Sequence, residues 1–394
     1  ITLRYGNCSL DMNLLDLSHT SHTRARSGIQ RVSRALYREL TKENKVIAVT
    51  WDPYAKAWRE LNTVEIENLE AEAPASTRGA RWPWSRKMYS RFQGWRGTVP
   101  ALPSATGLIV PELFSPAVAG ALPRLKTGKP RIAIFHDAIA LKLPELSPLG
   151  TVACFPSYMQ ELLQFDGIAA VSEESRQSLL DYWKWLGVSQ QPPVQTIPLG
   201  LDHFERDNDA PAENHPPVVL CVGSIEGRKN HLALLEAAEL LWADGHNFNL
   251  RLIGMANKQT GHLALQKIHS LQQSGHPLKY DGAVDETTLA SAYATCSFTV
   301  YPSIMEGFGL PVLESLARGK PCICSAHGAL GESARPGGAV ALDEVSIPAI
   351  QAAIARLLRN PAEISQLSTK ARSRTYRSWA QYTSELLAWM DSLP

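Results

Sequence analysis

From residue 217 onward the chain repeats one pattern: a short apolar run, a loop containing Gly or polar residues, then a stretch with helical spacing. The runs are PVVLCVGSI, NLRLIGM, LKYDGAV, FTVYPS and PCICS, and helical stretches fall near 231–243, 262–273 and 286–296. Apolar runs without alternation are what strands buried on both faces require, and their alternation with helical stretches points to a parallel sheet covered by helices on each side. The pattern predicts an α/β fold with a doubly wound parallel sheet.

The first half repeats the pattern less cleanly. MNLLDLSH, a polar stretch and GIQRVSRALYREL predict strand, loop and helix, and KVIAVTWD predicts the next strand. TGLIVPEL, RIAIFHD and FDGIAAVS follow as three more strands, whereas residues 62–99 lose periodicity and are expected to be irregular. With 394 residues the chain is long for one core, so two domains are expected. The segment RDNDAPAENHPP has a linker's composition and places the boundary near residue 205. The expected division is 1–205 for a first Rossmann-like domain and 206–375 for a second. Helical stretches near 348–359 and 361–391 follow, and 376–394 is expected to pack back on the first domain.

Thirty-nine Lys and Arg against thirty-eight Asp and Glu give no bulk field to attract nucleic acid, so any anion recognition must be local. Six cysteines, mostly in apolar runs and without a CxxC pair, are expected to be reduced and buried, as in a cytoplasmic protein. No run of about 18 apolar residues predicts a membrane span, and the amino terminus lacks a signal-peptide plan. The eleven His and six Cys never cluster at ligand spacing, so no metal site is expected, and neither a P-loop nor a GxSxG occurs.

In open parallel sheets ligands bind beyond the carboxyl ends of the strands. After FTVYPS comes EGFGLPVLE, where Gly307 and Gly309 permit close backbone approach and Pro311 suits the first turn of a helix. Glu306 precedes the turn and Glu314 follows one turn into the helix, so the two carboxylates can hold different parts of one elongated ligand, a sugar and a ribose diol. The plainer alternative is two solvated glutamates around a glycine turn. After PVVLCVGS, Arg228 and Lys229 stand just before a helix start, an arrangement suited to a diphosphate; the alternative is an exposed basic loop.

His136 and Asp137 end the strand RIAIFHD and can hydrogen-bond a sugar, although a lone strand-end histidine is often structural. Gly28 opens a helix facing the same cleft, while Arg24, Arg26 and Arg31, taken singly, read as surface residues. Residues 82–97 interleave Trp with Arg and Lys. A structured loop is the first reading there, a peripheral membrane contact the second and stacking on nucleic acid the last.

VGSIEGRKNH, the segment from YDGAVDETTL to PCICS, and IPLGLD resemble retaining glycosyltransferases of GT-B fold, in the large family 4 that includes bacterial surface-polysaccharide mannosyltransferases. The resemblance is specific over roughly residues 195–335, with GIQRV and FHD as weaker matches in the first half. It implies that Glu306 contacts the donor sugar, Glu314 the ribose, Lys229 the diphosphate and His136 the transferred sugar. Amides of Phe308, Gly309 and Leu310 would contact the donor, and the backbone around Val284 the base. Many members carry an arginine five residues before the lysine, a position held here by Ser224, so Arg228 would have to compensate.

The resemblance further implies metal-independent transfer with retention and no cofactor. The donor would be a GDP-, UDP- or dTDP-linked sugar, GDP-mannose first, and the acceptor a glycan or lipid-linked glycan of O-antigen, capsule or exopolysaccharide assembly. The expected location is cytoplasmic or peripheral at the inner membrane face. Rival expectations are a nucleotide-sugar epimerase of the same fold and a non-catalytic glycan-binding module of a larger assembly protein.

Overall fold

The computed structural model describes residues 12–71, 82–128, 130–203 and 216–394. The apolar runs form two sheets. In the first half the strands are β1 (Asn13–Asp16), β2 (Val46–Asp52), β3 (Ala57–Glu60), β4 (Leu108–Val110), β5 (Arg131–Phe135), β6 (Gly167–Ala170) and β7 (Val194–Thr196). They lie in the order β3-β2-β1-β4-β5-β6-β7, parallel throughout except for the β2–β3 hairpin. The second half contributes β8 (Val218–Val222), β9 (Asn249–Ile253), β10 (Leu278–Tyr280), β11 (Phe298–Tyr301), β12 (Cys322–Ser325) and β13 (Ala339–Leu342). Their order is β10-β9-β8-β11-β12-β13, all parallel. Both orders reverse direction beside the first strand of their half, at β1/β4 and β8/β11, and such switch points open a crevice at the strands' carboxyl ends.

Each sheet is buried on both faces, which is why its strands read as unbroken apolar runs. In the second half Val219, Leu250, Leu252, Phe298 and Ile323 pack under the helices His231–Ala243 and Ile347–Arg359. In the first half one face packs Leu14, Val110, Phe135 and Ile168 against Phe155, Met159 and Trp183. The other packs Leu15, Ile132 and Ile134 against Leu36 and Leu40 of helix Gly28–Lys42. Trp379, Tyr382, Leu386 and Met390 join this last cluster. The carboxyl-terminal stretch expected over 361–391 is therefore two helices, Pro361–Arg372 and Trp379–Asp391. The first packs Ala371 with Val312 and Leu316, and the second lies on the first sheet. Leu201 pairs with Ser378 where the chain crosses back.

Residues 62–99 are not irregular where described. Thr63–Glu70 is a helix whose Asn62 side chain accepts from the amides of Val64 and Glu65, and Trp84–Arg96 is a helix closed by Gly97 at φ 62°. Asn62 as an N-cap is a local start signal and Gly97 as a left-handed C-cap a local stop signal, and neither shows in apolar periodicity. Cys221, Cys322 and Cys324 are buried in strands and Cys296 just before one, but Cys154 is exposed on a helix, and Cys8 lies outside the described residues. The expected boundary at residue 205 and most of the linker also lie outside them. Among the described residues, no helix is long and apolar enough to cross a membrane.

Candidate functional site

The carboxyl ends of the two sheets face each other across a cavity of about 400 Å³, within the usual range for a small-molecule site. All twelve residues singled out from the sequence line it. His136, Asp137 and Gly28 come from the first half, and Ser224, Arg228, Lys229 and Val284 from the loops after β8 and β10. Glu306, Phe308, Gly309, Leu310 and Glu314 come from the turn after β11.

The turn after β11 is built by its glycines. Gly309 sits at φ 93° and starts the helix Leu310–Ala317. Its carbonyl accepts from the amides of Val312 and Leu313 at 3.0 and 3.4 Å, and Pro311 has no N–H, so Leu310, which lines the cavity, carries the one first-turn amide without a described backbone acceptor. Gly307 crosses the cleft: a Cβ there would lie 2.1 Å from the carbonyl oxygen of His136. Its own carbonyl accepts from Ser172 Oγ at 2.6 Å and Ser175 Oγ at 3.2 Å. No side chain larger than hydrogen fits at this junction.

Glu306 is 9% exposed. Its Oε2 lies 2.8 Å from Arg228 Nη1 and its Oε1 2.6 Å from Lys229 Nζ. Burial by itself would raise the carboxyl pKa, but the two cations outweigh it and hold the group at about 2, so it is fully ionised at neutral pH. Lys229 is also buried, and burial pushes its pKa below the usual lysine value despite Glu306. Its ammonium lies over the Tyr301 ring, 4.6 Å from the centroid, and donates to the Tyr301 hydroxyl. Arg228 Nη2 is 3.2 Å from Glu226, which accepts from Ser224 Oγ at 2.6 Å. Ser224 thus orients the carboxylate beside Arg228.

His136 Nε2 lies 2.7 Å from the carbonyl oxygen of Pro111, so that nitrogen carries the proton and Nδ1 is left as an acceptor. Burial pushes the ring pKa down, keeping it neutral. Asp137 Oδ1 accepts from the Ile139 amide at 3.0 Å, capping the turn after β5.

Among the described residues two ion pairs span the cleft. Arg31, on the same face of its helix as Gly28, pairs with Glu314, which is 2% exposed, and Arg26 pairs with Glu286. Both arginines line the cavity, so the expectation that they are surface residues is corrected; Arg24 instead donates to Asn68. The glutamate carboxylate of Glu332 accepts from the amides of Glu173 and Glu174 at 3.1 and 2.8 Å, which caps a first-half helix from the second half. Sequence reasoning also missed Tyr301 and His231, whose only signals were their places at the end of β11 and directly after Lys229. Among the described residues no group of three His, Cys, Asp or Glu is placed to hold a metal ion.

His231 is buried at the start of its helix, and neither ring nitrogen has a hydrogen-bond partner among the described residues. Burial, reinforced by the neighbouring Lys229 charge, lowers its pKa from 6.5 to about 3. The unfolded chain therefore binds a proton there that the folded chain refuses. Stability is full above pH ~6.5 and falls with acidification toward pH ~3, by about 1.4 kcal/mol per pH unit from this group. Urea unfolding of the wild type and of His231→Phe over that pH window is expected to show a shallower pH slope for the variant.

Residues 203–374 match the family described as glycosyl transferases group 1. The chain carries a group 1 glycosyl transferase domain. It is 27% identical over 336 residues to the serotype-specific mannosyltransferase WbdA of Escherichia coli, a match covering 79% of this chain and 38% of WbdA. Against the O-antigen chain mannosyltransferase B of Escherichia coli it is 28% identical over 270 residues, covering 65% of this chain and 68% of that one. The chain thus spans well under half the length of WbdA. The sucrose-phosphate synthase of Thermosynechococcus elongatus superposes with a TM-score of 0.68 over 96% of this chain and 98% of its own, at 18% identity. That likeness and the two facing sheets identify the fold as GT-B, with the cavity-lining Ser224, Arg228, Lys229, Glu306 and Glu314 all inside the group 1 domain.

Proposed function

We propose that the chain transfers a sugar from a nucleoside-diphosphate donor to a glycan acceptor with retention of configuration, mannose from GDP-mannose being the first candidate. The observation that carries this reading is the Glu306 carboxylate. It is ionised, held by Arg228 and Lys229, and set at the mouth of the Gly307–Phe308–Gly309 turn within reach of a cavity that His136 closes from the opposite side. The mannosyltransferase names of the two Escherichia coli relatives support the choice of sugar and of a growing surface polysaccharide such as O-antigen as acceptor.

The residues divide the work as follows. Lys229 and Arg228 take up the charge of the departing diphosphate, and the Leu310 amide at the start of the Leu310–Ala317 helix adds a donor to it. Glu306 accepts hydrogen bonds from hydroxyls of the donor sugar and fixes its position beside those cations. Glu314 accepts from the ribose diol, in place of its bond to Arg31. The acceptor hydroxyl attacks the anomeric carbon from the face the diphosphate leaves. The new C–O bond forms as the sugar–phosphate bond breaks, and the hydroxyl proton passes to the departing phosphate oxygen. His136, kept neutral by burial, accepts a hydrogen bond from the transferred sugar at Nδ1. The tight junction at Gly307 fixes the turn after β11 against the end of β5, so Glu306 and His136 keep their places on opposite sides of the donor.

Thermal unfolding with a panel of GDP-, UDP- and dTDP-linked sugars tests the donor, since a ligand bound only by the folded chain raises the midpoint by mass action. GDP-mannose is expected to give the largest rise. No rise with any of these donors would remove the basis for the proposal. Incubation with donor alone is expected to leave the sugar's stereocentres unchanged, whereas an epimerase would convert it.

A further inference from the structure

The helix Trp84–Arg96 turns one face away from both the core and the cleft. It rests on the turn between β2 and β3, where Ser90 Oγ donates to Asp52 Oδ2 at 2.8 Å. Gly94 lies so near Ala55 that a Cβ would meet its carbonyl oxygen at 2.7 Å. Lys87 and Arg91 lie over the Tyr54 ring at 5.6 and 5.4 Å. At 3.6 residues per turn, Trp84, Met88, Phe92 and Trp95 fall within a sector about 80° wide on the far side from Ser90 and Gly94, with Tyr89 at its margin.

All five are exposed, Trp84 to 76% and Trp95 to 81%. Between residues 82 and 97 there are Arg86, Lys87, Arg91 and Arg96 and no Asp or Glu. The Arg96 guanidinium lies 4.4 Å from the Phe92 ring centroid, so cation and aromatic stripe form one surface.

We propose that this helix lies in the plane of a lipid bilayer surface bearing anionic headgroups. Charge complementarity selects that occupant: the stripe is apolar along the helix, and every charged residue of the helix is a cation. Trp and Phe settle at the boundary between acyl chains and headgroups while Arg and Lys reach outward to lipid phosphates. A protein partner would leave the cations around the stripe to be matched one by one. A single nucleic-acid strand would need bases stacked in series, and Met88 interrupts the aromatic stripe. The sugar-transfer reading plays no part in this inference, and its test has no activity readout.

The test is co-sedimentation of the 394-residue chain with vesicles of phosphatidylcholine alone or of phosphatidylcholine mixed with phosphatidylglycerol. Binding is expected to the mixed vesicles, to weaken as salt is raised, and to be at least ~10-fold weaker for Trp84→Ala/Phe92→Ala/Trp95→Ala. Arg86→Gln/Arg96→Gln is expected to lose the preference for phosphatidylglycerol. Trp84, Phe92, Trp95 and Arg96 are exposed and Arg86 is half-buried, so circular dichroism and the unfolding midpoint should be unchanged. The proposal is overturned if the mixed vesicles fail to sediment the chain or if the triple variant binds them as the wild type does. It is equally overturned if, without vesicle binding, the stripe holds two copies together in light scattering or holds an oligonucleotide.

Discussion

Glu306→Gln is expected to lower sugar transfer by about 100- to 1000-fold while leaving the fold intact, a loss comparable with removing one preorganised charged group from a reacting site. The amide keeps the shape of the carboxylate but cannot face two cations. Arg228 and Lys229 would then meet a neutral group at 2.8 and 2.6 Å, and the sugar hydroxyls would lose their strongest acceptor. A second consequence separates this account from simple disruption. Burial already depresses the Lys229 pKa, and Glu306 is the leading influence opposing that depression. Without the carboxylate charge the lysine should deprotonate at lower pH. Donor binding by the variant should therefore weaken as pH rises, over a range where wild-type binding stays flat.

Lys229→Ala is expected to weaken nucleoside-diphosphate binding by about 10- to 100-fold, the loss of a charge-assisted hydrogen bond of roughly 1.5–3 kcal/mol. Its effect should appear with the free nucleotide, before any sugar is transferred, because the cation meets the diphosphate rather than the sugar. Calorimetric titration of the wild type and variant with GDP and UDP checks it. Arg228 keeps the site cationic, which sets the limit on the loss. It also bears on Ser224, where many relatives by resemblance carry an arginine. Ser224 fixes Glu226, and Glu226 fixes Arg228, so the local charge is supplied from the other side of the loop.

The strands that read clearly from sequence were those buried on both faces, such as Val218–Val222 and Phe298–Tyr301, because their residues are apolar apart from Thr299, whose hydroxyl is satisfied by Ser315 at 2.7 Å. The short edge strands Ala57–Glu60 and Val194–Thr196 were missed because an edge asks little apolar burial of its residues. The helix Trp84–Arg96 was missed for a related reason. It buries only Ser90, so its apolar residues follow the outward face and give no core-facing period. At the site, the glycine turn, the cations before a helix and the strand-end His136 are local features, and the residues chosen from them line one cavity. The pairing of Arg31 with Glu314 is a contact between distant parts of the chain, and only the facing of the two sheets creates it.

The central claim is that an ionised Glu306 positions a nucleotide-linked sugar for transfer with retention. The most direct measurement is nuclear magnetic resonance of the product formed from an α-linked donor sugar and a short oligosaccharide, with the wild type and with Glu306→Gln side by side. The account predicts an α-linked product and released nucleoside diphosphate from the wild type, and almost none from the variant. A β-linked product, or equal turnover by the variant, would contradict it.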